Sequence, residues 1–87
     1  MIKEIFRLND NLTTVFYENF AVSCSSMMPT SINYQSSERI DQNIKDMAKT
    51  FDKLTPEYVK QIEKSLSRDV LKFVFERSEE ITKADEL

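Results

Sequence analysis

The chain has 87 residues, of which 40% are hydrophobic and 31% charged, a composition typical of one folded domain and not of a disordered segment. Its net charge is −3, and without a basic patch it lacks the footprint of a phosphate-binding surface, so nucleic acid is not an expected partner. It contains no glycine and no histidine, which excludes glycine-rich nucleotide loops and removes the commonest general base and zinc ligand. We therefore expect a single domain over residues 1–87 that is not an enzyme and holds no metal or cofactor.

The location of the protein is predicted from two further features. No apolar run approaches the roughly 20 residues needed to cross a bilayer, and residues 1–4 do not resemble the start of a secretory signal. We expect a cytoplasmic protein with no membrane partner. Cys24 is the single cysteine, so it cannot form an intrachain disulfide, and its small and apolar neighbours predict a half-buried structural residue.

The first third of the chain is rich in β-branched and aromatic residues. Apolar side chains recur at even positions, as expected for strands: Ile2, Phe6, Leu8, Leu12, Phe16, Phe20 and Val22. This pattern predicts antiparallel strands at about 2–8 and 12–24, joined by a turn at residues 9–11 in which asparagine takes the left-handed position that glycine usually fills. A helical face over residues 12–27 fits the same segment, and that alternative predicts an all-α bundle of three or four helices.

Residues 27–36 are predicted to form an internal loop. Pro29 disfavours helical geometry at Met28, and the serines and asparagine that follow are typical of loops. Tyr34 combines an apolar ring with a polar hydroxyl. It either packs over a helix end or contacts a partner or a small ligand.

The remaining chain carries two helical patterns. The first, at about 37–54, has one apolar side formed by Ile40, Ile44, Met47, Ala48, Phe51 and Leu54. Ser36 or Ser37 is its expected N-cap. The second, at about 56–84, begins at Thr55-Pro56, where proline is well tolerated as the first helical residue. So short a connection predicts a two-helix hairpin, and the fold class is therefore α+β, helix-dominated, with the N-terminal strands packed on the hairpin.

The second helix is apolar on more than one side. At roughly 100° per residue, Leu71 and Phe75 point away from the side that carries Leu66 and Phe73. Two interpretations follow. Either the N-terminal third covers them, or they belong to an interface with another subunit or partner protein, together with Val74 and Tyr34.

The interface interpretation predicts a small protein-binding module that regulates or inhibits a partner and acts as a homo-oligomer. In size and in its lysine- and asparagine-rich composition without glycine, histidine or tryptophan, the chain resembles the compact accessory proteins that bacteriophages encode. Many of those proteins bind and inhibit a host protein, so the resemblance implies a place in the host cytoplasm.

The alternative function is a small-ligand or nucleotide-binding protein. Its site would form at a subunit interface, where Tyr34 stacks on a base and Lys45 or Lys49 meets phosphate. Oligomeric state and ligand binding distinguish the two hypotheses.

Overall fold

The computed structural model describes residues 2–86 of the backbone and the side chains of residues 2–77. Within this range the mixed α+β class is confirmed, and the all-α alternative is wrong. The elements follow one another as β1 (Glu4–Arg7), β2 (Leu12–Phe16), β3 (Phe20–Ser25), β4 (Met28–Tyr34), α1 (Ser37–Ala48), β5 (Asp52–Lys53) and α2 (Pro56–Glu86).

The five strands form one antiparallel sheet in the order β4-β3-β2-β1-β5. Because side chains alternate between faces along a strand, directly paired residues share a face. One face carries a row of paired apolar residues: Ile5, Val15, Val22 and Ile32. The other carries Phe6, Phe16 and Ala21. The sheet is therefore apolar on both faces and needs cover on both.

The two helices cover opposite faces. Ile40 of α1 is fully buried against the cluster that contains Phe6 and Phe16. Leu66 and Val70 of α2 are buried in the separate cluster that contains Ile5 and Val15. The predicted helical hairpin is therefore wrong, because the sheet lies between the two helices.

The short strand β5 explains this arrangement. Helix α1 begins at the predicted cap, where the Ser36 hydroxyl accepts a hydrogen bond from the backbone N–H of Arg39 at 3.2 Å, but it ends at Ala48 and not at residue 54. Two residues, Asp52–Lys53, then pair with the free edge of β1. Phe51 packs in the α1 layer and Leu54 in the α2 layer, so the chain passes around the sheet edge between them.

The N-terminal strands follow the prediction, with two corrections. The turn at residues 9–11 is confirmed, but Asn9 acts through its side chain, whose Oδ1 accepts hydrogen bonds from the backbone N–H groups of Asn11 and Leu12, both at 2.9 Å. Positive φ angles occur instead at Ser26 and Met27, between β3 and β4. The second correction concerns residues 12–24, which form two strands because the chain reverses at residues 17–19.

The predicted loop at 27–36 is also wrong, because most of it is strand β4. This strand lies at the sheet edge, where Pro29 removes no hydrogen bond from a central ladder and sits beside an irregularity in the register. An edge strand that is largely exposed keeps a polar composition, and for that reason its sequence resembles a loop.

Candidate functional site

The outer side of α2 carries two large apolar side chains in solvent. Leu71 is 61% exposed and Phe75 is 68% exposed, whereas Val70, next to Leu71 in the sequence, is 0% exposed. Residues four apart lie one above the other on a helix. Leu71 and Phe75 therefore form one continuous apolar surface, which we call the α2 patch.

The α2 patch is continued toward the helix N-terminus by positive charge. Lys64 and Arg68 are exposed, and the spacing of four, three and four residues from Lys64 to Phe75 places these side chains along one side of the helix. Lys60, one turn earlier, is exposed as well. An apolar centre with a charged margin is the usual composition of a protein-binding surface.

The other predicted interface residues lie elsewhere. Val74 is partly buried and packs against the core cluster beneath α2, so it supports the helix and does not extend the α2 patch. Tyr34 is 55% exposed at the end of β4. It lines an open groove of about 320 Å³ with Ser31, Ile32 and Arg77. Because Arg77 lies within a turn of Phe75, Tyr34 and the α2 patch are at the same end of the molecule.

The residues of the nucleotide hypothesis are not brought together within one chain. Tyr34 lies on the α2 side of the sheet, where its ring centroid is 6.0 Å from that of Phe20. Lys45 is exposed on α1 and Lys49 is exposed at its C-cap, and α1 covers the other face of the sheet. A base stacked on Tyr34 therefore has neither lysine of the same chain beside it.

An aromatic row at the end of the sheet was not anticipated from the sequence. Tyr17 stacks on Phe20 with ring centroids 4.6 Å apart, and Phe20 in turn contacts Tyr34. The sequence signal is the spacing Tyr17-x-x-Phe20 across a tight turn, in which the backbone N–H of Tyr17 bonds to the carbonyl of Phe20 at 2.8 Å. The turn brings both rings onto the face covered by α2.

Two buried groups beneath α2 have perturbed pKa values. Burial raises the pKa of the Cys24 thiol from 9.0 to about 11, which makes it an inert structural side chain at neutral pH. Burial also raises the pKa of Tyr17, against an opposing effect of the Ser67 side chain. The Tyr17 hydroxyl is buried and has no partner within hydrogen-bonding geometry. The Ser67 hydroxyl therefore does not form a well-aligned hydrogen bond with it. The Cys24 side chain and the Tyr17 hydroxyl are both buried, so neither offers accessible chemistry.

Among the residues whose side chains are described, no three histidine, cysteine, aspartate or glutamate residues are grouped as metal ligands. In the same part of the chain, no helix is both long enough and apolar enough to span a bilayer. No protein-family model, curated protein or solved structure matches the chain.

Proposed function

We propose that this protein is a non-enzymatic protein-binding module whose contact surface is the α2 patch, and that it regulates or inhibits its partner and acts as a homo-oligomer. The observation that carries the proposal is the exposure of Leu71 and Phe75, at 61% and 68%, on a domain that fills its core without them. Clustered large apolar side chains on a small soluble domain mark interaction surfaces.

The core does not need the α2 patch. Leu66 is 3% exposed and Val70 0% exposed, and together with Ile62 and Val74 they cover the sheet face below α2. Leu71 and Phe75 are exposed and do not belong to this core cluster. Neither is required by helix propensity, since a charged or polar helix former serves equally well at an exposed position.

The shape of α2 suits a binding surface. Its 31 residues give a length of about 46 Å at 1.5 Å per residue, which matches the 43 Å longest dimension of the molecule. Apolar anchors at positions i and i+4 on such a helix are the arrangement that helix-recognising grooves and paired helices use. Phenylalanine, like the other aromatic residues, is also enriched in protein interfaces.

The regulatory part of the proposal is supported by composition. The resemblance to bacteriophage accessory proteins favours a host protein as the target and the host cytoplasm as the place of action. A regulator of this kind changes the activity of its target by covering a functional surface, so Leu71→Asp is expected to abolish both binding and regulation.

Site-specific photo-crosslinking in the native cell tests the proposal. We expect p-benzoylphenylalanine in place of Phe75 to give discrete protein adducts, and we expect Leu71→Asp in the same chain to remove them. The matched control is the same photoreactive residue in place of Lys49, which is also exposed but is the C-cap of α1, on the other face of the sheet. Adducts from position 49 alone, or from neither position, contradict the proposal.

A further inference from the structure

Charge is distributed asymmetrically along α2. Residues 60–72 contain four basic and two acidic side chains, whereas residues 76–86 contain two basic and five acidic ones. The two segments lie on either side of residues 73–75, which include Phe75, and Leu71 lies near the end of the first segment. Helix α2 therefore has a basic half, an apolar centre and an acidic half, in that order.

We propose that the occupant of the α2 patch is a second copy of this chain, with the two α2 helices packed antiparallel about a twofold axis that passes close to position 73. This inference rests on the proposed function and assigns the α2 patch to self-association, so that the dimer, through another surface, is the form that meets the host target. A twofold axis makes each contact occur twice with the same geometry. An axis at position 73 places Leu71 opposite the partner's Phe75, so each apolar residue covers the other.

The same axis brings opposite charges together. Position 60 then faces position 86 of the partner helix. Position 68 faces position 78 of the partner helix. In this direction the basic half of each helix lies along the acidic half of the other. Complementary charge of this kind selects the partner and sets the register of a helical pair.

The parallel arrangement is disfavoured by the same charges. It places the basic half on the basic half and the acidic half on the acidic half, and like charges side by side act against the wrong pairing. The apolar centre alone does not choose a direction, because Leu71 and Phe75 are adjacent in either one. The charge pattern therefore determines the antiparallel direction.

Charge reversal with complementation tests the inference, with molar mass by light scattering as the readout. We expect the wild type to show twice its 10.2 kDa chain mass. Lys60→Glu with Arg68→Glu is expected to give the mass of one chain, and so is Glu79→Lys with Glu86→Lys. An equal mixture of the two variants is expected to restore the mass of two chains, because the reversed charges are complementary again.

The control is Lys45→Glu with Lys49→Glu, which makes the same change in net charge at exposed positions of α1 and of its C-cap and is expected to remain a dimer. Circular dichroism verifies that every variant is folded. A mixture that stays monomeric overturns the antiparallel direction, and variants that each remain dimeric overturn the interface.

A wild type of single-chain mass overturns self-pairing. If photo-crosslinking at position 75 still yields adducts with a different protein in that case, the protein-binding function stands and its partner is not a second copy. If neither a dimer nor an adduct is found, both proposals fail.

Discussion

Leu71 and Val70 are adjacent aliphatic residues of α2, and truncating each to alanine tests the assignment of the α2 patch most simply. Val70 is 0% exposed and belongs to the core cluster, whereas Leu71 is 61% exposed. Because only Val70 is buried, we expect the two substitutions to differ strongly in their effect on the free energy of unfolding. If Leu71 is a core residue in solution, they are alike.

The magnitudes follow from the carbon atoms that are removed. Val70→Ala removes two buried carbons at about 0.8 kcal/mol each and leaves a cavity, so we expect a loss of about 2–3 kcal/mol. Leu71→Ala removes three carbons, but Leu71 is 61% exposed, and burial of the remaining fraction gives only about 1 kcal/mol. Alanine is also the slightly better helix former, which offsets a few tenths of that loss.

Urea unfolding followed by circular dichroism provides the measurement. It must be made on protein diluted until light scattering shows single chains, because dimer formation would add an association term to the apparent stability. At that dilution we expect Leu71→Ala to unfold near the wild-type midpoint and Val70→Ala well below it. Equal destabilisation by the two substitutions in single chains would refute the assignment of Leu71 to the surface.

Three further predictions concern the sheet and the layer beneath α2. Tyr17→Phe is expected to raise the free energy of unfolding by about 1 kcal/mol, since it removes a buried hydroxyl without a partner; destabilisation in urea would instead reveal a hydrogen bond to Ser67. The free energy of unfolding is expected to fall by about 2 kcal/mol as the pH rises from 9.0 to about 11. In this range the Cys24 thiol loses its proton in the unfolded chain but retains it in the folded chain, where its pKa is higher. Cys24→Ala is expected to reduce this dependence of the free energy of unfolding on pH. An unchanged dependence would mean that other groups cause it. Ser26→Asn is expected to stabilise by about 0.5–1 kcal/mol, since Ser26 has a φ of 50° that asparagine adopts more readily, and a lower thermal midpoint would contradict this.

The N-terminal strands were predictable because their residue types and alternation are strong, yet the alternation did not assign the faces, since the even positions Phe20 and Val22 lie under α2. Even positions such as Phe6 and Phe16 face α1, but odd positions such as Ile5 and Val15 are buried just as deeply under α2. Central strands covered on both sides lose the simple apolar and polar alternation. The sequence pattern therefore favoured a sheet with one covered face.

The helical hairpin could not be corrected from local sequence for a related reason. Phe51 and Leu54 continue the apolar spacing of α1, so periodicity extends the helix to residue 54. In the fold, the free edge of β1 binds the backbone of Asp52 and Lys53. That tertiary hydrogen bonding overrides the local helical pattern. No local signal indicates that a strand edge is available there.

For the exposed residues of α2, by contrast, the sequence reasoning identified the correct side chains. Leu71 and Phe75 were singled out because they point away from the helix side that carries Leu66 and Phe73, and the exposure of Leu71 and Phe75 agrees with that reasoning. The sequence alone left open whether the N-terminal third covers them. The answer depends on the position of α2 over the sheet, which is fixed by the contacts of Leu66 and Val70.

The central claim is that the ring of Phe75 is in solvent in the single folded chain and becomes covered when the α2 patch binds. The most direct measurement replaces Phe75 with 4-fluorophenylalanine and follows its ¹⁹F signal in the presence of a soluble paramagnetic agent. We predict strong relaxation enhancement in dilute single chains and protection as the complex forms. Protection at every dilution, in samples that light scattering shows to be single chains, would contradict the account.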